Sequence, residues 1–404
     1  MKNVILLTID TLRKDALGCY GGGNLTPFLD SLQEGCIRFN NAYSGGPYTQ
    51  AGFPGILTSS YYLDFGRQRG KCPPQRVLVS EVLRKAGITT AAFHSNAYLC
   101  AFFGWNRGWD VFYDSMEAKV DEKTPYIKAR AINQKAANWL RTYRERGGGK
   151  PFFLWVHYMD VHEPYVPERK YVEVVDPGIT LNEDEMFTLF KNVLLKRDVS
   201  NRETLELLRK LYLAHVREVD EAAEEFFGIL QETGFHDETA VVITADHGEE
   251  FGEHGGLSHD GKMYQELVNV PLMIYDPSQR EGIVSDTVVS TLDVPPTIAY
   301  LFHVEPSPAW QGQSLLPLEA YEPKGVYGES IDKQGSHEKG DEKEVHFYRE
   351  GDLKIIYREK DDSWELYDLA DDPEERNNII EKTTVTEYMM KKVIPRVRRY
   401  EKQQ

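Results

Sequence analysis

Val4-Ile5-Leu6-Leu7-Thr8-Ile9-Asp10-Thr11-Leu12-Arg13 decides the fold. A mostly apolar run, Val4–Ile9, is bounded by polar residues and shows no alternation, which predicts a strand covered on both faces, as in a parallel sheet. A carboxylate, Asp10, follows at once. A carboxylate at the end of a buried strand is costly unless it is paired or bound to a metal. Outward from this run, short β-rich stretches alternate with helical ones. Helices are expected over Leu25–Gly35 (Pro27 near its start; Phe28, Leu29 and Leu32 on one face), Val77–Ala86 closed by Gly87, Lys128–Arg146, and Arg202–Leu230. Strands are expected at Thr89–Phe93, Phe152–His157, Ala240–Ala245 and Leu272–Tyr275. This alternation predicts an α/β fold: a large, mostly parallel sheet with helices on both faces. After about Pro323 the texture changes. Val326–Glu329, Val345–Arg349, Leu353–Tyr357 and Trp364–Asp368 read as short antiparallel strands, with Ser336–Glu344 as an exposed loop and a closing helix, Thr384–Arg399, that Pro395 kinks or shortens. The expected domains are 1–322, the α/β unit, and 323–404, a smaller α+β region packed on it.

The 404 residues suffice for a large core. With 47 basic and 64 acidic side chains the net charge is −17, which argues against nucleic-acid or anionic-membrane partners. Apolar runs are strand-length, far short of the roughly 18–20 residues of a membrane span. Four cysteines without a CxxC pair make neither a disulfide framework nor a thiolate zinc site. With no signal peptide in view, the expected location is cytoplasmic.

Three stretches carry chemistry, and in open α/β sheets such places converge at the carboxyl ends of strands. The first is Asp10. The second is Val241-Val242-Ile243-Thr244-Ala245-Asp246-His247-Gly248-Glu249, where a carboxylate and an imidazole stand side by side after a strand, a donor pair suited to a divalent ion. The plainer reading is a hydrogen-bonded turn. The third is Tyr43–Ser59, a small-residue loop running into a helix near Thr49, with Pro54 tolerable only within about the first turn. A hydroxyl there faces free N–H groups, which suits an attacking oxygen and a bound oxyanion; an ordinary N-cap is the competing reading. A histidine-rich set, His157, His162, His254 and His259, joins His247, and clustering at strand ends suits leaving-group protonation or oxyanion contact.

The ordered set resembles the sulfatase family of the alkaline-phosphatase superfamily over nearly the whole chain. Ile5–Gly21 is similar to that family's opening strand and motif. Phe39–Tyr43 and Ile56-Leu57-Thr58 bracket its nucleophile segment. Asp246–Glu249, Gly252–Gly255 and Val270-Pro271-Leu272 follow in family order, and Leu366–Asn378 resembles its C-terminal signature. The resemblance implies an alkaline-phosphatase-like fold and a metal-dependent ester hydrolase acting on a small-molecule sulfate or phosphate ester. It implies one divalent ion (Mn, Zn, Ca or Mg) held by Asp10, Thr49, Asp246 and His247, with Thr49 as nucleophile, eight residues before Leu57. His162 and His259 match positions near the leaving group, and Asn96, His254 and Arg13 are the expected substrate contacts. A second metal would draw on His254, Asp160 and His162.

The departures bear on the substrate. Sulfatases carry Cys or Ser in C/S-x-P-x-R, oxidised to formylglycine; here the stretch is Thr49-Gln50-Ala51-Gly52-Phe53. Thr11 replaces the second opening Asp, Asp246-His247 replaces an Asp-Asn pair, Ser95-Asn96-Ala97 replaces Lys-x-His, and His259 replaces a later Lys. Thr nucleophiles with Asp-His pairs are similar to the phosphodiesterase, phosphonate-hydrolase and lipoteichoic-acid-synthase branches. The reading is therefore cleavage of a phosphodiester or phosphonate ester, with a true sulfatase as the alternative and a non-catalytic binding protein as a third possibility. Cys72-Pro73-Pro74-Gln75-Arg76 spells C-x-P-x-R but lies after Leu57-Thr58-Ser59, on the wrong side of that landmark, and is taken as coincidence.

Overall fold

In the computed structural model the described residues are 3–66, 70–114, 116, 118–196, 199–332, 343–381 and 385–401. In chain order the strands are β1 Asn3–Ile9, β2 Cys36–Tyr43, β3 Thr89–Phe93, β4 Val111–Tyr113, β5 Phe152–Tyr158, β6 Thr239–Thr244, the two-residue pair β7 Glu250–Phe251 and β8 Leu257–Ser258, β9 Asn269–Tyr275, β10 Ile283–Ser290, β11 Val326–Asp332, β12 Lys343–Glu350, β13 Leu353–Arg358 and β14 Ser363–Asp368. The helices are α1 Pro27–Ser31, α2 Thr49–Thr58, α3 Val79–Lys85, α4 Ala129–Glu145, α5 Arg169–Val175, α6 Glu183–Lys196, α7 Arg202–Glu232, α8 Gln265–Val268, α9 Val294–Leu301 and α10 Thr386–Glu401.

The main sheet has the order β10-β2-β9-β6-β1-β5-β3-β4. β1 lies at its centre, parallel to β5 on one side and β6 on the other. Its apolar run is continuous because both faces are covered. Ile5, Leu7 and Ile9 point into the layer built with α4 and α7, while Val4 and Leu6 point into the layer with α2, α3 and α9. The neighbours split in the same way: Leu154 and Val156 face one layer, Phe153 and Trp155 the other. Each fully buried aliphatic side chain of this kind contributes about 1.5–3 kcal/mol.

The large sheet is mostly parallel, as expected; β9, which holds the expected Leu272–Tyr275 strand, is the exception and runs antiparallel to both β2 and β6. Several other expectations are corrected. β2, β4 and β10 were not anticipated, since they lie at or near the margins of the sheet and are only partly apolar; β10 is mostly exposed at its start. The helix expected over Leu25–Gly35 begins at Pro27, its first turn matching the fixed φ of proline, and tightens into a 3₁₀ turn at Leu32–Gly35. Pro54 is the sixth residue of α2, inside the helix and not in its first turn. Of the expected loop Ser336–Glu344, residues 336–342 lie outside the described residues, while Glu344 is buried in β12. Thr384 also lies outside them. No helix among the described residues is long and apolar enough to cross a membrane.

The C-terminal strands form an antiparallel sheet, β11-β12-β13-β14, with α10 packed against it. One buried ion pair ties this sheet to the segment that follows it. Lys354 Nζ in β13 lies 2.8 Å from Glu375 Oε1, and both side chains are fully enclosed. Burial pulls the Lys354 ammonium down and Glu375 works against that. The second Glu375 oxygen accepts the Gln265 N–H at the start of α8 (2.7 Å). Lys354→Met alone leaves a buried charge unpaired and is expected to lower the unfolding free energy by about 3–5 kcal/mol, with Lys354→Met/Glu375→Gln recovering most of the loss, both read by denaturant unfolding.

Candidate active site

Register assembles the site. Thr8 in β1 stands opposite His157 in β5 and opposite Thr244 in β6. The residues just beyond those pairs, Asp10 and Asp246-His247, therefore leave the adjacent parallel strands β1 and β6 at one edge, beside His157 of β5. β2, antiparallel to β9, ends at the same edge and leads through Ser44–Tyr48 into α2. β3 ends there too and leads to Asn96. Gly52 lets α2 approach, because a Cβ at that position would lie 2.3 Å from the Asp246 carbonyl oxygen. Ser44 Oγ–H donates to the same oxygen.

Asp10, Asp246 and His247 are fully buried, and their ligand atoms lie within 4.8 Å of one another, the one such cluster among the described residues. His247 Nε2 is 3.6 Å from Asp10 Oδ1 and 3.5 Å from Asp246 Oδ2. All three atoms lack a hydrogen-bond partner. His247 Nδ1–H donates to the Gly248 carbonyl (2.8 Å), which leaves a lone pair on Nε2. Three buried acceptors facing one another without a donor fit a cation: neighbouring donors around a small divalent ion stand about 3 Å apart. Asp246 Oδ1 is held by the N–H groups of Thr11 (3.4 Å) and His247 (3.1 Å). Thr11 takes φ +56° there, a left-handed conformation unfavourable for a β-branched residue.

The two carboxylates are not equivalent. Burial acts to raise Asp10, but the His157 hydrogen bond and the charges of His162 and His247 outweigh it and hold Asp10 low. Asp246 is pushed well up, by burial first and by the Asp10 charge second. Burial, then the charge of His259, pulls His247 down. His157, which the sequence placed only within a histidine-rich set, is oriented by Thr8. Trp155 Nε1–H donates to Thr8 Oγ1 (2.9 Å), the Thr8 hydroxyl meets His157 Nδ1 (2.8 Å), and His157 Nε2 lies 3.3 Å from Asp10 Oδ2.

Thr49 is the first residue of α2, with Tyr48 as its N-cap, so it is not itself the cap. Its Oγ1 is 3.5 Å from Asp10 Oδ2 and 3.4 Å from Asn96 Nδ2, and Asn96 also donates to Asp10 Oδ2 (2.8 Å). Of the first N–H groups of the helix, those of Ala51 and Gly52 bond the Tyr48 carbonyl (both 2.9 Å). The His162 and His259 rings meet at 4.9 Å, and His259 lies 4.6 Å from the His247 ring. His162 Nδ1–H donates to the Glu163 carbonyl (2.7 Å). His259 Nδ1–H donates to Glu249 (3.0 Å), whose other oxygen accepts from Tyr165 (2.7 Å). Burial opposes the His259 charge, but Glu249 overrides it and holds the imidazolium up to about 9.

Other expected members are placed elsewhere. Arg13 spends its donors on Asp15 (2.8 and 2.7 Å), Glu253 (2.5 Å) and the Glu249 carbonyl (2.8 Å), so its guanidinium braces the loop. His254 stacks on Tyr264 at 3.6 Å, with one ring nitrogen on Glu266 (2.7 Å) and the other on the Glu375 carbonyl (3.2 Å), leaving neither for substrate or metal. Asp160, a candidate for a second metal, accepts the Ala129 N–H at the start of α4 (2.8 Å), and burial pushes it up to about 7. Cys72 is buried in the apolar layer beside α3, and its sulfur accepts from Arg107 (3.2 Å). Glu249 was quoted from the sequence without a role. The pairing of β7 with β8 brings it to His259, and Tyr165, from the segment after β5, meets it there. A proton held on Asp246 must leave when a cation enters, so Mn²⁺ affinity is expected to rise with pH. Calorimetry in buffers of different ionisation enthalpy should show proton release on binding, and Asp246→Asn should abolish stoichiometric binding.

Known proteins match the chain over nearly its whole length. The sulfatase family model matches residues 2–304, and the model of the C-terminal part of N-sulphoglucosamine sulphohydrolase matches residues 252–403. An arylsulfatase of Clostridium perfringens is 23% identical, over 94% of this chain and 90% of that protein. An N-acetylglucosamine-6-O-sulfatase of Bacteroides thetaiotaomicron is 25% identical, over 94% and 83%. Among solved structures, a protein in complex with its substrate D-glucosamine-2-N,6-O-disulfate superposes with a TM-score of 0.80 at 22% identity, over 100% of this chain and 98% of that one. The phosphonate monoester hydrolase of Agrobacterium radiobacter gives 0.74 at 18%, over 98% and 95%. Family enzymes use a divalent metal, and the Asp10, Asp246, His247 cluster could bind one. The chain belongs to the sulfatase family, as a hydrolase of sulfate or phosphate esters.

Proposed function

We propose that the protein cleaves a monoanionic phosphorus ester, a phosphodiester or a phosphonate monoester, with the Thr49 hydroxyl as nucleophile. The observation that carries this reading is Thr49 Oγ1 at the head of α2, 3.5 Å from Asp10 and 3.4 Å from Asn96. A threonine carries a methyl group on Cβ and cannot be oxidised to the formylglycine aldehyde, so its oxygen has to act as a plain alkoxide. Phosphorus bonded to such an oxygen remains open to a second in-line attack by water, which a turnover cycle needs.

A divalent cation held by Asp10, Asp246 and His247 would supply the positive charge that favours the Thr49 alkoxide and offsets charge on the non-bridging oxygens. The protein's own groups do the rest. Asn96 orients Thr49 and Asp10. The Thr49 hydroxyl loses its proton to solvent and its oxygen attacks phosphorus, the bond to the departing alkoxide breaks with its electron pair, and His259 or His162 hands that oxygen a proton. Water then attacks the same phosphorus, giving a proton back to that imidazole; the bond to Thr49 breaks, its oxygen takes a proton from solvent, and the phosphorus acid is released. One cluster suits a monoanion; a phosphomonoester dianion is better served by two metals.

A second reading, sulfate-ester hydrolysis, is favoured by the names of the relatives in sequence, which include an arylsulfatase and an N-acetylglucosamine-6-O-sulfatase. Rates on an aryl sulfate, aryl phosphate, bis-aryl phosphate and aryl phosphonate, each with Mn²⁺, Zn²⁺, Ca²⁺ and Mg²⁺, separate the two; a dominant aryl sulfate rate would overturn the first. Thr49→Ala is expected to lower kcat by at least about 10³ with the metal content unchanged, while Thr49→Ser, which keeps a hydroxyl, retains measurable turnover.

A further inference from the structure

The attack, departure and hydrolysis steps leave His157 idle, yet it is fully buried beside Asp10. It stands in β5 opposite Thr8 in β1. The Phe53 ring of α2 meets it edge-on at 5.0 Å, and the Trp155 ring lies 6.0 Å away. Two contacts fix where its proton sits. Trp155 Nε1–H can only donate, so the Thr8 oxygen accepts from it (2.9 Å) and the Thr8 hydroxyl proton is left to give away. It can go to the Val156 carbonyl at 3.5 Å or to His157 Nδ1 at 2.8 Å, and the shorter contact prevails. Nδ1 then accepts, and a neutral ring carries its proton on Nε2. Nε2 lies 3.3 Å from Asp10 Oδ2 and has no other partner among the described residues. The opposite tautomer would set two lone pairs against each other there. Both ends of the ring therefore demand the same proton position.

The two oxygens of Asp10 are treated differently. Around Oδ2 stand Asn96 Nδ2 (2.8 Å), His157 Nε2 (3.3 Å) and Thr49 Oγ1 (3.5 Å). Oδ1 has no partner and faces His247 Nε2 at 3.6 Å. The last torsion of an aspartate is broad, so the groups on Oδ2 are what keep the carboxylate in this pose. Asn96 belongs to the turn after β3, whereas His157 is part of the strand paired with β1. We infer that His157 is a positioning residue: in the tautomer that Trp155 and Thr8 impose, it holds Asp10 Oδ2 and so presents a single Asp10 oxygen to a cation. The restriction bears on which ion fits. Ca²⁺ takes about six to eight oxygens and accepts both oxygens of one carboxylate, whereas Zn²⁺ is satisfied by three protein ligands with an imidazole among them. This rests on the cation reading of Asp10, Asp246 and His247 and is independent of Thr49 as nucleophile.

Zn²⁺ and Ca²⁺ are titrated calorimetrically into the full chain as wild type, His157→Phe and His157→Gln. Phenylalanine keeps a ring between Phe53 and Trp155 but has no donor; glutamine keeps an N–H donor. The ratio of Zn²⁺ to Ca²⁺ affinity is expected to fall about tenfold in His157→Phe and to be largely kept in His157→Gln. A general loosening of the fold would weaken both ions alike and leave the ratio where it was. An unchanged ratio in His157→Phe therefore overturns the role of His157 and leaves the cation reading intact, while failure of either ion to bind the wild type overturns both. Nitrogen NMR of the histidine-labelled wild-type protein tests the tautomer without any variant. His157 is expected to be protonated at Nε2 and unprotonated at Nδ1, and the reverse overturns the inference.

Discussion

Two carboxylates and an imidazole nitrogen face one another in a space that water does not reach. Such an arrangement is repulsive by itself. Like charges a few ångströms apart in a low-dielectric interior cannot both persist, so a proton is retained on Asp246 or a cation takes its place. The surroundings maintain this tension instead of relieving it. The Gly248 carbonyl fixes the His247 tautomer, the N–H groups of Thr11 and His247 occupy one oxygen of Asp246, and Asn96 and His157 occupy one oxygen of Asp10. In each case one acceptor is satisfied and the other is left facing the centre.

Around that centre the fold places groups with opposite demands. α2 brings the Thr49 hydroxyl, with the positive end of the helix dipole behind it, to Asp10. His259, backed by Glu249 and Tyr165, brings a proton donor from the other side. The supporting carboxylate matters because an imidazole next to a cation site would otherwise lose its proton; Glu249 supplies the compensating charge from inside the protein.

The C-terminal sheet contributes at one remove. Glu375, anchored by Lys354, reaches back to Gln265 and His254, and Glu266 at the start of α8 accepts from His254. The strand pair β7–β8, with His259 at its exit, thus lies between two fixed ends: β6 and its metal-type residues on one side, the Glu375 anchor on the other. Arg13 clasps the same stretch through Glu253 and the Glu249 carbonyl. This bracing explains why Arg13 and His254 sit among the family-like motifs without facing the reacting centre.

Much of the architecture was legible because burial on both faces writes itself as an uninterrupted apolar run. Val4–Ile9, Phe152–His157 and Ala240–Ala245 could be recognised as inner strands, and Asp10, Asp246 and His247 stood out because polar groups directly after such runs need a reason. Strands at and beside the sheet margin left no such trace, since half-exposed positions in β10 and β4 tolerate polar residues, and direction along the sheet is not encoded in apolarity, which is why β9 was not seen to run antiparallel. The roles of His157, Glu249 and Tyr165, and the removal of Arg13, His254 and Asp160 from the centre, were decided only by tertiary structure. Which partner a buried donor or acceptor finds depends on strand register and loop closure across more than a hundred residues, and residue type alone carries no record of that distance.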